Sequence, residues 1–143
     1  MSRAMSSRPA SVRVRYAETD QMGVAYYANY FAWFEVGRTE WLRQTGWTYR
    51  EMEADGVFLP VIEAACTYRR PLRYDDRLSI RTTASLLSPV RIRFDYQVVV
   101  DEAAGHEAAI GYTVHAATGP AGRPVRLPGR VRALFAPPAQ PGT

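Results

Sequence analysis

Cysteine, lysine and long apolar runs are what this sequence has least of. Its single cysteine, Cys66, excludes an internal disulfide and supplies too few thiols for a structural zinc site, which favours a reducing compartment. No apolar run approaches the ~18 residues that a membrane-spanning helix needs, and the first residues, MSRAMSSRPASV, have no apolar centre typical of signal peptides. We therefore expect a soluble, cytoplasmic protein in which residues 1–10 form a disordered leader.

The positive charge of the chain comes without any lysine. All 18 basic residues are arginine, against 14 acidic residues, and the formal net charge is +4. Arginine stays charged and its planar fork matches phosphate oxygens, so this composition suits an anionic ligand that contains phosphates. The arginines are scattered and no nucleic-acid recognition motif accompanies them, so nucleic acid is the less favoured partner.

Histidine is also scarce, with only His106 and His115 present. Both fall in or beside the last predicted strand, too far in the pattern from Asp20 to indicate a dyad, and no Glu/His spacing typical of a metal site occurs. We expect no metal and no cofactor. A Cys/His nucleophile pair stays open in principle, but Cys66 lies in the alternating segment VIEAACTY, where a buried, unreactive thiol is the commoner outcome.

The length of 143 residues allows one domain with a conventional core, and no repeat or linker divides the chain. Apolar residues that alternate with arginine predict a first strand over 12–16. Aromatic and apolar residues then recur at three- and four-residue steps over 28–45, which predicts a helix of ~27 Å that ends near Gly46. The segment 48–56 begins with Thr48 and Glu51 in the capping-box spacing, which predicts a short second helix.

The rest of the chain changes to a period of two. Alternation predicts strands over 61–69, 77–87, 91–100 and 107–117, and short connections after the second and third are typical of antiparallel hairpins. Pro128 is placed to start a final short helix, and the Pro-rich end is expected to fray. These patterns predict an α+β fold in which a sheet packs around one long helix.

Three motifs resemble one known family. DQMGVAYYANYFAWFEVGRTEWL resembles the signature of the hotdog-fold acyl-CoA thioesterases of the 4-hydroxybenzoyl-CoA thioesterase-like branch, and YRRPLRYDDRLSI and GRPVRLP add to the likeness. The resemblance implies a single hotdog domain over 11–135, and the Pro-rich composition of residues 136–143 predicts a flexible tail. It also implies an antiparallel five-stranded sheet wrapped around one long central helix, hydrolysis of an acyl-CoA thioester, and a dimer or tetramer, for which we expect a homotetramer.

The resemblance also assigns catalytic residues. The family's aspartate before the Gly turn acts as nucleophile or general base and corresponds to Asp20, and the peptide N–H that polarises the thioester carbonyl corresponds to Tyr27. A thioester is activated enough for attack by one carboxylate, or by water that the carboxylate deprotonates. Unpaired N–H groups at a helix N-terminus can stabilise the oxyanion, and Gly23 would let the loop bring the two groups together.

Further residues are assigned to substrate binding, the arginines as candidates for the phosphates of coenzyme A: Gly23, Val24, Tyr26, Asn29, Arg69, Arg70, Arg91 and Arg93. Asn29 is as well explained by a helix cap, and Asp20 by a turn or cap. Glu35 and Arg38, three residues apart, suit an ordinary surface pair, with Glu35 as a reserve general base. Tyr27 stands where many relatives have histidine, and because a phenol is a poor base at neutral pH, we expect it to act by packing, hydrogen bonding or its backbone.

Two other functions remain open from the sequence. A non-catalytic acyl-CoA-binding module would use the same groove without hydrolysis. A hotdog dehydratase acting on hydroxyacyl thioesters would need a positioned histidine, and none stands beside YANY.

Overall fold

The elements of the fold are described from a computed structural model that covers residues 5–6, 8–101 and 105–135. Within these residues the order is β1 (Met5–Ser6), β2 (Ala10–Arg13), α1 (Asn29–Gln44), α2 (Tyr49–Ala54), β3 (Val61–Tyr68), β4 (Arg77–Ser88), β5 (Arg91–Val100), β6 (Glu107–Ala116) and α3 (Gly129–Arg132). No helix in these ranges is long and apolar enough to cross a membrane. Residues 1–4 and 7 of the predicted leader and the predicted tail over 136–143 lie outside the described residues.

One antiparallel sheet contains these strands in five positions. β4, β5 and β6 are successive neighbours, which confirms the two predicted hairpins, and β3 pairs with β6 at the far edge. β1 and β2 both pair with β4 and share the other edge, where Met5 lies opposite Ala84 and Ala10 opposite Ile80. The predicted five-stranded sheet is therefore confirmed, with its first position divided between two short strands.

The long central helix is α1, and it packs against the inner face of this sheet. It runs two residues shorter than the predicted 28–45, with Ala28 and Thr45 as its caps, and Gly46, whose φ of 90° is left-handed, follows the C-cap. Its buried face consists of Tyr30, Trp33, Phe34, Gly37, Trp41 and Leu42. These side chains form one core with the inward residues of the strands, such as Leu78, Ile80, Phe94 and Val98.

Gly37 lets α1 approach the sheet closely. A Cβ atom built on Gly37 would lie 2.5 Å from Oγ1 of Thr82 and 2.8 Å from a methyl carbon of Ile80, so any larger residue would push the helix away. One turn earlier, Phe34 is fully buried and stacks on Tyr96 with the ring centroids 4.3 Å apart. The helix is thus held at the centre of the sheet by a small residue and a large one in neighbouring turns.

The chain leaves the first strand earlier than the sequence predicts. β2 ends at Arg13, and Tyr16–Glu18 forms a 3-10 turn where the strand was expected to continue. The carboxylate of Glu18 accepts the Arg15 N–H at 2.7 Å, which closes the turn. Elsewhere the local signals hold: Thr48 caps α2 by accepting the Glu51 N–H at 3.2 Å, and α3 follows Pro128.

Candidate active site

Asp20 lies in a tight loop just before α1. Its N–H donates to the carbonyl oxygen of Val24 at 2.9 Å, and the Gly23 N–H donates back to the Asp20 carbonyl at 3.0 Å. Oδ1 of Asp20 accepts the Met22 N–H at 2.8 Å, whereas Oδ2 makes no hydrogen bond to the described residues. Gly23 has a φ of 78°, which glycine adopts readily. The turn role of Asp20 thus uses one carboxylate oxygen and leaves the other available.

A surface pocket of about 360 Å³ connects this loop to the start of α1 and to the segment after β3. Asp20 lines it together with four other residues that the sequence assigned to the site, namely Val24, Tyr27, Arg69 and Arg70. Ala25, Tyr30, Tyr68 and Pro71 complete the wall. Residues that are nearly fifty positions apart in the chain therefore meet around one carboxylate.

The backbone of Tyr27 lies at the positive end of the α1 dipole. The helix begins at Asn29 with Ala28 as its N-cap. The Tyr27 carbonyl accepts hydrogen bonds from the Tyr68 hydroxyl at 2.9 Å and from the Tyr30 N–H at 3.4 Å. Its own N–H, one residue before the N-cap, has no hydrogen-bond partner in the described part of the chain, so it can donate to a ligand beside the helix start.

Phenol rings form the apolar side of the pocket. Tyr68 meets Tyr27 and Tyr30 edge-on, with ring centroids 6.4 and 4.8 Å apart, and Tyr26 packs on Tyr27 at 4.7 Å. Burial raises the pKa of both Tyr30 and Tyr68 to about 12. These two phenols stay protonated at neutral pH, so they can donate hydrogen bonds but cannot act as bases.

Asn29 does not cap α1, and its side chain instead holds the chain before the helix. It is the first residue of α1, and its Nδ2 donates to the carbonyl oxygen of Glu18 at 2.7 Å. The Tyr26 N–H donates to the same oxygen at 2.8 Å. Of the predicted substrate-binding residues, Gly23, Tyr26 and Asn29 therefore lie next to the pocket and shape it without being part of its wall.

The four candidate arginines have different positions. Arg69 forms an ion pair with Glu107 at 3.0 Å, and Arg70 is exposed with no carboxylate partner among the described residues. Arg91 and Arg93 lie on β5, which β6 separates from β3, so one chain does not bring them to this pocket. Their assignment to the phosphates of coenzyme A stays a prediction.

Arg93 is already engaged on the outer face of the sheet. Its guanidinium makes an ion pair with Asp95 at 3.0 Å and lies 4.0 Å above the ring of Tyr112. The surface pair expected between Glu35 and Arg38 does not occur within the described ranges. Glu35 instead lines a separate groove on the outer side of α1, which places it away from Asp20 as a reserve base.

Sequence reasoning missed Glu18, the one buried carboxylate near the loop among the described residues. Its Oε1 accepts the Arg15 N–H at 2.7 Å, and its Oε2 accepts from the Trp33 indole at 3.4 Å and from the Arg15 guanidinium at 3.5 Å. Its carbonyl holds the residues at the start of α1, as described above. The only local signal was a charge between two apolar elements, because burial depends on Trp33 from the following helix.

The replacement Glu18→Gln is expected to lower the free energy of unfolding by about 1–3 kcal/mol, because the amide NH₂ would face an N–H donor where an oxygen now accepts. Urea denaturation measures this change. As a matched control, Arg15→Ala removes only an exposed guanidinium and keeps the backbone N–H, so it should cost less than about 1 kcal/mol. Equal effects of the two variants would show that the carboxylate contacts are unimportant.

Cys66 and His115 do not form a Cys/His nucleophile pair. Burial raises the pKa of the Cys66 thiol, the opposite of what a nucleophilic cysteine requires. His115 is buried, with Nδ1 2.9 Å from the Leu59 carbonyl and Nε2 2.8 Å from Oγ1 of Thr113. Burial lowers its pKa to about 4, so the neutral ring donates to Leu59 and accepts from Thr113. No metal-binding group of three or more His, Cys, Asp or Glu side chains occurs within the described ranges.

Comparison with known proteins gives relatives that are named as acyl-CoA thioesterases. The Haemophilus influenzae acyl-CoA thioesterase YbgC is 32% identical over 127 residues, which cover 87% of this chain and 90% of that protein. The "Putative acyl-CoA thioesterase YneP" of Bacillus subtilis is 46% identical over 71 residues, 50% of this chain and 51% of the relative. The aligned part therefore spans about half the length of the Bacillus protein.

Solved structures agree with the fold. A hypothetical protein from Thermus thermophilus superposes with a TM-score of 0.82 at 36% identity, covering 90% of this chain and 97% of that one. The DHNA-CoA thioesterase from Staphylococcus aureus gives 0.78 at 30% identity, covering 87% and 80%. The hotdog fold predicted from the motifs is thus confirmed. Residues 14–135 also match the family model of the thioesterase-like superfamily, and the chain therefore belongs to that superfamily.

Proposed function

We propose that this protein hydrolyses an acyl-CoA thioester to coenzyme A and a carboxylic acid. The observation that supports it most directly is the shared pocket of Asp20 and Tyr27, where a carboxylate oxygen of one and the N–H of the other have no hydrogen-bond partner among the described residues. Relatives named as acyl-CoA thioesterases support the same reaction.

In this proposal Asp20 supplies the attacking group and Tyr27 the oxyanion donor. By one route, the carboxylate attacks the carbonyl carbon, the C–S bond breaks to release the thiolate, and water then hydrolyses the mixed anhydride. By the other, the carboxylate takes a proton from a water molecule that attacks the carbonyl directly, and the C–S bond then breaks to release the thiolate, which receives that proton. Both routes place negative charge on the carbonyl oxygen, where the Tyr27 N–H and the helix dipole stabilise it.

Arg70 is the arginine best placed for a phosphate of coenzyme A. It lines the pocket and has no carboxylate partner among the described residues, whereas Glu107 already neutralises Arg69. A guanidinium without a counter-ion can take two phosphate oxygens through its planar fork. Contacts by Arg91 and Arg93 would have to come from another subunit.

We also propose that two copies join along β3, and that pairs of such dimers form the predicted homotetramer. Among the described strands β3 pairs only with β6, and Val61, Ile62 and Tyr68 on this open edge are exposed. In an antiparallel pairing of two copies, the Val61 end of one strand lies beside the Tyr68 end of the other. The second copy would then complete the pocket wall.

Ile62→Lys is expected to lower the molar mass measured by light scattering towards that of a single chain, because it places a charge in the proposed contact. The matched control is Leu87→Lys at the end of β4, since Leu87 is 52% exposed and Ile62 50%. An unchanged mass for the Ile62 variant would rule out β3 as the contact. The cytoplasmic location remains a prediction from the sequence.

The direct test is a thiol-release assay on the purified protein with short, long and aromatic acyl-CoA substrates. Turnover with any of them supports hydrolysis and identifies the preferred acyl group. Saturable binding of acyl-CoA esters without thiol release would instead indicate a binding module. A dehydratase is less well supported, because no histidine among the described residues lines the pocket.

A further inference from the structure

Two tyrosines form an exposed pair outside the Asp20 pocket. Tyr16 is 77% exposed and Tyr74 58% exposed. Their rings meet edge-to-face with centroids 5.8 Å apart and an angle of 82°. Rings presented to solvent in this way can act as platforms on which a nucleobase stacks.

The backbone around Tyr74 is held in a fixed shape. The Asp75 N–H donates to the Val14 carbonyl at 2.8 Å, and the Val14 N–H donates to the Asp76 carbonyl at 2.9 Å. The Asp75 side chain also makes an ion pair with Arg13 at 3.0 Å. Asp75 has a φ of 71°, a left-handed conformation that is uncommon outside glycine. The loop therefore presents Tyr74 rigidly, which lowers the entropy cost of stacking.

An arginine directly precedes each of the two tyrosines. Arg15 is exposed, and its guanidinium contacts one carboxylate among the described residues, that of Glu18 at 3.5 Å. Arg73 is exposed, and its guanidinium has no carboxylate partner within the described residues. Two aromatic faces with two exposed guanidinium groups match a ligand that has both a base and phosphates.

This cluster is connected to the Asp20 pocket on both sides. Tyr16 precedes Asp20 by four residues, so their Cα atoms lie within ~14 Å of each other. Tyr74 follows the pocket residues Arg70 and Pro71 in one continuous loop. A hydrogen bond of 2.7 Å from the Ala25 N–H to the Leu72 carbonyl oxygen joins this loop to the Asp20 loop. A ligand that leaves the pocket along this loop reaches the tyrosine pair.

We propose that Tyr16 and Tyr74, with Arg15 and Arg73, form the subsite for the adenine nucleotide end of coenzyme A. The base stacks on the exposed tyrosine faces, and the two guanidinium groups bind phosphate oxygens. The pantetheine arm spans the loop between this subsite and the thioester beside Asp20. The inference rests on the proposed function and adds to it the surface that recognises the nucleotide.

The test compares two thioesters of the same acyl group, one on coenzyme A and one on pantetheine, which has no nucleotide. Tyr74→Ala should raise KM for the acyl-CoA about tenfold, since stacking on an aromatic ring contributes strongly to base binding. KM for the acyl-pantetheine and both kcat values should stay unchanged. Tyr74→Phe keeps the ring and should behave as the wild type, and Leu87→Ala controls for loss of an exposed apolar side chain elsewhere.

Equal KM values for Tyr74→Ala and the wild type on acyl-CoA, or a rise shared by both thioesters, would overturn the subsite. A lower molar mass of the variant would also overturn it, since the pair would then be a subunit contact. If the wild type hydrolyses neither thioester, the proposed function fails, and calorimetry with 3′,5′-ADP decides the subsite separately. Binding that Tyr74→Ala weakens would support it, and binding that is absent or unchanged would not.

Discussion

Asp20→Asn is expected to lower kcat for acyl-CoA hydrolysis by about 100-fold or more, because an amide can neither attack the thioester nor deprotonate water. The fold should not change. Asparagine keeps an oxygen that can accept the Met22 N–H, so the turn before α1 remains closed. Asp20 is also exposed, and the substitution removes no buried contact. KM should change little, because the phosphates and the acyl group bind elsewhere.

Two measurements make this prediction specific. Steady-state thiol release gives kcat and KM, and urea denaturation with light scattering shows whether stability and assembly are retained. Asp55→Asn is the matched control, since Asp55 is an exposed carboxylate at the end of α2, away from the pocket. A kcat within threefold of the wild type in the Asp20 variant would remove Asp20 from the mechanism under either route.

Gly111→Ala is expected to lower the free energy of unfolding by about 3 kcal/mol through overpacking. A Cβ atom at this position would lie 2.5 Å from the carbonyl oxygen of Ala65 and 2.6 Å from the ring of Phe34. The first is backbone of the neighbouring strand β3, and the second is fully buried against Tyr96. Neither group can move aside without separating β3 from β6 or displacing α1.

The matched control for this variant is Gly129→Ala at the start of α3, where the nearest atom to a new Cβ is the flexible end of Arg132 at 3.7 Å. It should leave stability unchanged within about 0.5 kcal/mol. Urea denaturation of both variants compares them directly. A Gly111 variant as stable as the control would show that β3 is not held tightly against the core.

Much of the fold was predictable because its signals are local. The three- and four-residue spacing from Tyr30 to Leu42 indicated α1 within one residue at each end. Two-residue alternation indicated β4, β5 and β6 and their hairpins, since short connections leave antiparallel neighbours little choice. The prediction of the first strand was wrong at its C-terminal end, because the turn after Arg13 depends on a side-chain contact of Glu18 that the alternation of residues does not reveal.

The candidate site was predictable in part for the same reason. Asp20, Val24 and Tyr27 lie within eight residues, so a loop and a helix start were enough to place them together. Arg69 and Arg70 join them only because β3 ends beside α1, and their separate roles depend on a distant residue, since Glu107 on β6 pairs with one of them.

The sequence by itself therefore determined the elements, their order and the carboxylate before the central helix. Only the tertiary structure decided which charges are paired and which are buried: Arg70 has no carboxylate partner among the described residues, Arg93 pairs with Asp95 on the outer face, and Glu18 lies under Trp33. The physical reason is that the hydrophobic periodicity of a helix or strand depends only on residues close together in the sequence. Burial and pairing, by contrast, are set by strands and helices that meet from distant parts of the chain.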